Sequence, residues 1–134
     1  MSATRRLEID AGHRLLKHES KCRNLHGHRY VFDVTCDGDL DAVGRVVDFG
    51  EVKSVVGGWL DENWDHGMIL QDGDPLVGAV RADGSKLAVV TVPPTAENLS
   101  KILLDVARGL LAGRGFVVIK VVCYETPNCW SEAS

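Results

Sequence analysis

Apolar and polar residues alternate with a period of two near both ends of the chain, as they do in half-buried strands. We predict one strand over residues 5–13 and a second over residues 28–37, joined by a polar loop. A third strand is predicted over residues 86–92, where two prolines end it. Residues 116–125 form a nearly unbroken apolar run whose valine content favours a fourth strand over a helix.

Two segments between these strands repeat apolar residues at intervals of three and four, as an amphipathic helix does. The first helix is predicted over residues 49–62, although Gly57-Gly58 weaken it by roughly 0.5–1 kcal/mol per glycine relative to alanine. The second is predicted over residues 95–112, with Thr95 as its N-cap. Residues 71–86 are rich in glycine and aspartate and are predicted to be a loop.

The predicted element order is β-β-α-β-α-β, which indicates an α+β fold. We expect an antiparallel four-stranded sheet with both helices on one face. The chain has 134 residues, enough for one hydrophobic core, so residues 1–134 are predicted to be a single domain. The sheet face without helices needs another cover, and this favours a homo-oligomer.

Composition excludes several classes of function. The net charge of −4 gives no basic surface for nucleic acid. No apolar run approaches the roughly 20 residues that span a bilayer, and no apolar signal segment follows the N-terminus. We therefore expect a cytoplasmic protein without membrane or nucleic-acid partners, whose four cysteines are free thiols.

Three histidines near the N-terminus indicate a metal site. His26 and His28 are two residues apart, so in a strand both imidazoles lie on one side. His13 ends the first predicted strand and has the parity of its apolar residues. If the two strands pair, the three rings meet at one rim of the buried face. Three nitrogen ligands with one open position are typical of catalytic zinc, although imidazole also suits iron, copper and nickel.

Cys22 lies between these histidines, and two interpretations of it stay open. It is either a fourth, structural zinc ligand or a catalytic thiol. Flanking Lys21 and Arg23, together with a nearby zinc ion, favour its thiolate form. The Asp65-His66 dipeptide offers a candidate base with a carboxylate beside it.

Glu125 ends the last predicted strand on the parity of Val117, Ile119, Val121 and Cys123. Its carboxylate is either an exposed strand end or an anchor for a flat ring that carries two adjacent N–H donors.

Together these residues resemble the 6-pyruvoyl-tetrahydropterin synthase/6-carboxytetrahydropterin synthase family. The similarity runs through nearly the whole chain in the family's order, and the combination of motifs is specific although no single one is. The spacing of three residues between Cys22 and His26 is more similar to the bacterial 6-carboxy enzymes of deazapurine biosynthesis. The matching segments are Ala11-Gly12-His13-Arg14-Leu15, Cys22-Arg23-Asn24-Leu25-His26-Gly27-His28, Val47-Asp48-Phe49, Asp65-His66, Pro94-Thr95-Ala96-Glu97-Asn98-Leu99 and Glu125-Thr126-Pro127.

The resemblance implies a role for each candidate residue. His13, His26 and His28 would bind catalytic Zn²⁺, and Glu125 would anchor the pterin ring. Cys22 would abstract protons, with Asp65 and His66 completing a catalytic triad. The implied architecture is the tunnelling fold, in which the sheets of several subunits join into a β-barrel with active sites between subunits. Asp65 and His66 would then reach Cys22 from a different chain.

The resemblance also implies the substrate, 7,8-dihydroneopterin triphosphate. The 6-carboxy reaction would give 6-carboxy-5,6,7,8-tetrahydropterin, acetaldehyde and triphosphate, as a step of deazapurine (queuosine-type) biosynthesis. Two alternatives remain: 6-pyruvoyltetrahydropterin synthase activity on the same substrate, and a catalytically silent zinc- and pterin-binding oligomer. The triphosphate would need cationic partners, and the candidates are Arg14, Lys17, Lys21 and Arg23. The alternative interpretation of these four residues is an ordinary solvated loop.

Overall fold

The computed structural model describes residues 1–134, which form one mixed six-stranded sheet with helices packed against it. The strands are β1 (Ser2–His13), β2 (His26–Asp37), β3 (Gly67–Gln71), β4 (Leu87–Val90), β5 (Val117–Thr126) and β6 (Cys129–Ala133). Their order across the sheet is β4-β3-β1-β2-β5-β6. None of the helices is long and apolar enough to span a membrane.

The two long strands β1 and β2 form the centre of the sheet, as their alternating sequences predict. They pair antiparallel over their whole length, from Ser2 opposite Asp37 to His13 opposite His26. Odd-numbered residues of β1 face the core and its even-numbered residues face outward, as in the buried Ile9 and the exposed Glu8. Even-numbered residues of β2 face the core. The odd-numbered residues of β1 and the even-numbered residues of β2 therefore line the same buried face.

A continuous helical segment covers the buried face of β1 and β2. It consists of α1 (Phe49–Val52), a π-helical turn (Lys53–Gly57) and α2 (Gly58–Asn63), and it confirms the first predicted helix. Asp48 caps α1 by accepting a hydrogen bond from the backbone N–H of Gly50. The π-helical turn ends at Gly57, where the glycine pair weakens the helical pattern. Single π-helical turns of this kind occur as interruptions inside α-helices.

The second predicted helix is α4 (Ala96–Leu110), which packs against β5 and β6. The Thr95 side chain accepts a hydrogen bond from the backbone N–H of Asn98 at 3.2 Å and so caps the helix as predicted. Leu99, Leu103 and Ala107 form its fully buried stripe. They join the 23-residue core beneath the sheet.

The prediction of a four-stranded antiparallel sheet is wrong in strand number and in direction. Strand β3 pairs parallel with residues Ala11–His13 of β1, and β4 pairs parallel with β3. Part of the predicted loop over residues 71–86 is the helix α3 (Leu76–Asp83), which connects these two strands. This helix buries no residue and β3 has only five, so neither produces a long periodic pattern.

On the other side of the central pair, β5 contains an irregularity that sequence parity does not reveal. Thr35 of β2 pairs with Lys120, whereas the next residue, Cys36, pairs with Val118. Ile119 is therefore an extra residue, a β-bulge, and the facing of β5 reverses around it. Val117 and Ile119 are exposed, while Glu125 keeps its inward parity with Val121 and Cys123. The predicted common parity holds only beyond the bulge.

The outward face of the two central strands, β1 and β2, is largely exposed. It carries ion pairs such as Arg6 with Asp33 and Arg29 with Asp10. Because β3 contacts β1 only at Ala11–His13, the long remainder of that edge of β1 has no neighbouring strand. A single chain therefore leaves both a sheet face and a strand edge open.

Candidate metal centre and active site

The register of β1 and β2 brings the three predicted histidines together at one rim of the core. His13 lies directly opposite His26, and Ala11 opposite His28, so the three imidazoles share the buried face. Their ring centroids lie 4.6 Å (His13–His26), 5.1 Å (His13–His28) and 4.9 Å (His26–His28) apart. One nitrogen from each ring lies within 4.8 Å of the others. The structure thus brings together the three histidines that the sequence singles out.

Backbone carbonyls fix the orientation of two of the rings. Nδ1 of His13 lies 2.7 Å from the carbonyl oxygen of Pro94, and Nδ1 of His26 lies 2.6 Å from that of Asn24. Each Nδ1 is therefore the protonated donor, and each Nε2 carries a lone pair. This is the usual arrangement of metal-binding histidine, in which the second ring nitrogen donates to an oxygen.

The two Nε2 atoms face one another at 3.1 Å. When both rings are neutral with their protons on Nδ1, this pair has no hydrogen to share, and the two lone pairs repel unless a cation lies between them. Two ligands of a tetrahedral zinc ion lie about 3.3 Å apart when each Zn–N bond is about 2.0–2.1 Å. The donor set and its spacing therefore fit a zinc ion.

Burial favours the neutral, metal-binding form of His13 and His28. His13 is almost fully buried, and loss of solvent lowers its pKa to about 4. Burial also lowers the pKa of His28. Below them, the ring of Tyr30 packs edge-on against both, at 5.7 Å from His13 and 5.4 Å from His28. The Tyr30 hydroxyl is buried without a hydrogen-bond partner.

Glu125 reaches the rim of the same cluster from β5. Its Oε1 lies 3.7 Å from Nε2 of His13, and the side chain is 28% exposed. The carboxylate thus stays accessible beside the imidazoles, where it can accept hydrogen bonds from a ligand.

Cys22 lies in a short 3-10 turn, Lys21–Arg23, in the loop that joins β1 to β2. Its carbonyl oxygen accepts a hydrogen bond from the backbone N–H of Leu15 at 2.9 Å. The thiol is partly exposed, and its sulfur does not belong to the set of mutually close imidazole nitrogens. This arrangement leaves the sulfur outside the coordination set formed by the histidines.

Asp65 and His66 form a hydrogen-bonded pair in the turn between α2 and β3. Nδ1 of His66 lies 2.9 Å from Oδ2 of Asp65, and Oδ1 of Asp65 accepts the backbone N–H of Asp10 at 3.0 Å. Burial acts to raise the pKa of Asp65, but the bonds from Asp10 and His66 outweigh it and lower that pKa. The carboxylate is thereby kept ionised and orients the imidazole.

The backbone of His66 is strained. It is the one non-glycine residue with a positive φ, at 57°. A left-handed conformation costs a residue with a β-carbon roughly 1–2 kcal/mol. Such strain is retained where the surrounding contacts impose it, and it concentrates at functional sites.

The histidine cluster and the Asp65-His66 pair lie on opposite faces of the sheet. His13, His26 and His28 point to the helix-covered face, whereas the side-chain atoms of Asp65 and His66 cluster with the outward-facing carboxylate of Asp10. The His66 side chain is 77% exposed. One chain therefore does not bring Cys22 and the Asp65-His66 pair together as the predicted triad requires.

Arg14 is committed to a structural ion pair and is not a free cation for a triphosphate. Its guanidinium bonds both carboxylate oxygens of Asp74, at 2.8 and 2.5 Å, and the Asp74 side chain is fully buried. Of the basic residues proposed from the sequence, Lys17, Lys21 and Arg23 remain exposed in the loop.

Sequence reasoning missed the groups that support the site. Pro94 and Asn24 act through backbone carbonyls, which no side-chain pattern reveals. Lys86, whose ammonium contacts the carbonyl oxygen of Asp65 at 2.6 Å, immediately precedes β4 and is remote in sequence. Only the parallel pairing of β3 with β4 indicates that Lys86 lies beside Asp65 and His66, and the sequence does not predict that pairing.

Comparison with known proteins identifies relatives over the whole chain. Residues 2–134 match the family model for 6-pyruvoyl tetrahydropterin synthase. The 6-carboxy-5,6,7,8-tetrahydropterin synthase of Rickettsia bellii is 42% identical over 98% of this chain and 99% of its own length. A probable 6-carboxy-5,6,7,8-tetrahydropterin synthase of Halobacterium salinarum is 46% identical over 74% of this chain and 64% of its own length.

Solved structures have the same fold. An uncharacterized protein of Wolinella succinogenes superposes with a TM-score of 0.86 at 23% identity, covering 99% of this chain and 97% of that chain. The 6-pyruvoyl tetrahydropterin synthase of Caenorhabditis elegans gives a TM-score of 0.74 at 25% identity, covering 99% and 94%. The resemblance found in the sequence, and the prediction of an enzyme, are confirmed: the chain belongs to the 6-pyruvoyl tetrahydropterin synthase family.

Proposed function

We propose that this protein is a zinc-dependent lyase that converts 7,8-dihydroneopterin triphosphate into 6-carboxy-5,6,7,8-tetrahydropterin, acetaldehyde and triphosphate. The observation that carries the proposal is the pair of Nε2 atoms of His13 and His26, which face one another at 3.1 Å with both protons held at Nδ1. The names of relatives that match over almost the full chain, at up to 42% identity, support the 6-carboxy product.

His13, His26 and His28 would hold the zinc ion, with one coordination position left for substrate. When bound, zinc would supply a Lewis acid that polarises the side-chain oxygens of the substrate. Pro94 and Asn24 would keep the rings in the metal-binding tautomer through the bonds to Nδ1.

Glu125 would bind the pterin ring at the rim of this site. A carboxylate accepts two parallel hydrogen bonds from neighbouring ring N–H groups, and such charged pairs are strong and directional. Its position 3.7 Å from Nε2 of His13 supports a ring held next to the metal, with the side chain of the substrate directed at the histidines.

Cys22 would remove protons from the substrate side chain, and His66 would exchange them with water or with the leaving group. Asp65 would orient His66 through the 2.9 Å contact to Nδ1. The exposed imidazole and partly exposed thiol leave both groups free to meet a substrate.

The proposed reaction needs no external oxidant or reductant. The bond between the first two side-chain carbons breaks, and the ester bond to triphosphate breaks with it. The outer two carbons leave as acetaldehyde, and the inner carbon becomes the carboxylate after one water is consumed. The pterin ring takes up the two electrons and protons that the side chain gives up, which makes it a tetrahydropterin.

A second copy of this chain would complete the site, because Asp65 and His66 lie on the face opposite the histidines. The uncovered outward sheet face and the unpaired edge of β1 support a homo-oligomer whose sheets continue into a barrel. In that assembly, Asp65 and His66 of one subunit would approach Cys22 of its neighbour.

Incubation of the zinc-loaded protein with 7,8-dihydroneopterin triphosphate tests the proposal directly, with mass spectrometry of the pterin and an assay for acetaldehyde. We expect acetaldehyde and 6-carboxytetrahydropterin in equal amounts. Triphosphate release without acetaldehyde would instead identify the 6-pyruvoyl reaction. Binding without turnover would identify a silent zinc- and pterin-binding oligomer.

A further inference from the structure

We propose that Lys86 is a positioning residue that holds the Asp65-His66 pair in its working geometry. Lys86 immediately precedes β4, and the hydrogen bonds of its ammonium go to the backbone carbonyl oxygens of Asp61 and Asp65 rather than to the histidine cluster. The inference rests on the proposed function, because it assigns Lys86 a role in proton transfer only if His66 carries out that transfer.

The peptide group that links Asp65 to His66 is held at both of its polar atoms. Its carbonyl oxygen, that of Asp65, accepts a hydrogen bond from Nζ of Lys86 at 2.6 Å. Its N–H, that of His66, donates to the carbonyl oxygen of Asp10 at 2.6 Å. These two contacts point in opposite directions, so together they fix the orientation of the peptide plane.

That orientation determines the backbone conformation of His66. Rotation of the peptide plane changes φ of His66, which is 57° and lies in the left-handed region. A histidine leaves this region when it is free to do so, because the Cβ atom clashes with its own backbone there. Loss of either contact would therefore let the imidazole swing away from Oδ2 of Asp65.

The surroundings of Lys86 favour this single orientation of its side chain. The ammonium also bonds the carbonyl oxygen of Asp61 in the last turn of α2, where helix carbonyls lack partners. The aliphatic stem passes over Gly67, where an added Cβ would lie 3.1 Å from Cγ of Lys86. Lys86 thus ties the end of α2, the turn carrying Asp65 and His66, and β4 together.

If the role of Lys86 were purely structural, it would only cap the C-terminal end of α2. The experiment must therefore separate an effect on protein stability from an effect on proton transfer by His66. We suggest a double-mutant cycle of Lys86→Met and His66→Ala, with kcat, KM and zinc content measured for each variant on 7,8-dihydroneopterin triphosphate. Lys101→Met is the matched control, because Lys101 is exposed on α4 and lies outside the site.

Lys86→Met is expected to lower kcat by about 10- to 100-fold with KM and zinc content nearly unchanged, the range seen when a supporting partner of a functional group is removed. In the His66→Ala background the same change should have no further effect on kcat, because its target is gone. Lys86→Arg, which keeps a cationic N–H donor, should restore most of the activity, and Lys101→Met should match the unmodified protein.

An equal loss of kcat in both backgrounds, or no loss in the presence of His66, would overturn the role of Lys86. If His66→Ala alone left kcat unchanged, the proposed role of the Asp65-His66 pair would fail, and this inference with it. Should Lys86→Met not give folded protein by circular dichroism, Lys86→Gln retains an uncharged N–H donor group and is expected to give an intermediate kcat.

Discussion

Replacement of Asp74 by asparagine should destabilise the protein more than any other single change of charge at one side chain. The Asp74 side chain is fully buried, and its two oxygens accept three hydrogen bonds, two from Arg14 and one from the backbone N–H of Leu76. Asp74→Asn removes the negative charge and leaves the guanidinium of Arg14 without a counter-ion.

The structure sets the size of this effect. Breaking a buried ion pair by removal of one partner costs about 3–5 kcal/mol. Arg14 is 19% exposed, so water reaches part of its guanidinium and the loss falls at the lower end, about 3 kcal/mol. For a chain of 134 residues, an unfolding entropy of about 2.1 cal/mol/K per residue converts this loss into a fall in Tm of about 10 °C.

Thermal and urea unfolding followed by circular dichroism, at one protein concentration, would measure the change. Asp72→Asn is the matched control, because Asp72 is exposed in the same turn. A double variant, Arg14→Met with Asp74→Asn, should recover part of the loss since no unpaired charge remains. If Asp74→Asn unfolded within about 0.5 kcal/mol of the control, the reasoning would be refuted.

The same pair predicts the direction of a pH effect. The bonds from Arg14 lower the pKa of Asp74, so the folded protein binds fewer protons than the unfolded chain near the ordinary aspartate pKa of about 3.9. The stabilisation is therefore complete above that pH and is lost as the pH falls through the lower, folded value. The difference in unfolding free energy between the original protein and Asp74→Asn should be constant near neutral pH and should shrink in acid.

Two further variants test the roles assigned at the site. Cys22→Ala should keep its zinc, measured by atomic absorption, because the thiol lies outside the imidazole set. It should lose turnover, because the proposed proton acceptor is gone. Loss of zinc would instead make Cys22 a metal ligand. Glu125→Gln should raise KM by about 10- to 100-fold, the value of a hydrogen bond to a charged group, with zinc retained. Glu132→Gln, at an exposed position on β6, is the control, and loss of zinc from Glu125→Gln alone would show that this carboxylate coordinates the metal.

The centre of the fold and the histidine cluster follow from the sequence because both depend on local periodicity. The two-residue spacing of His26 and His28, together with the parity of His13 in β1, is enough to place three rings on one face once the strands pair. The amphipathic stripe and the Thr95 cap define α4 in the same way.

The remainder depends on contacts between distant segments, which a local pattern does not record. The bulge at Ile119 follows from how β5 registers against β2, and the parallel strands β3 and β4 are set by pairing with the end of β1. The position of His66 on the outward face depends on the backbone of Asp10, which is far from it in the chain. The sequence motif Asp65-His66 therefore identifies the pair but not the face on which it acts.

The separation of the two clusters on opposite sides of one sheet has a consequence for genetics as well as for chemistry. If each working centre is shared by neighbouring subunits, a chain lacking the thiol of Cys22 and a chain lacking the imidazole of His66 carry different defects. Co-assembly of the two inactive proteins would create some junctions in which both missing groups are supplied by intact neighbours. Two null alleles of this protein would then complement one another.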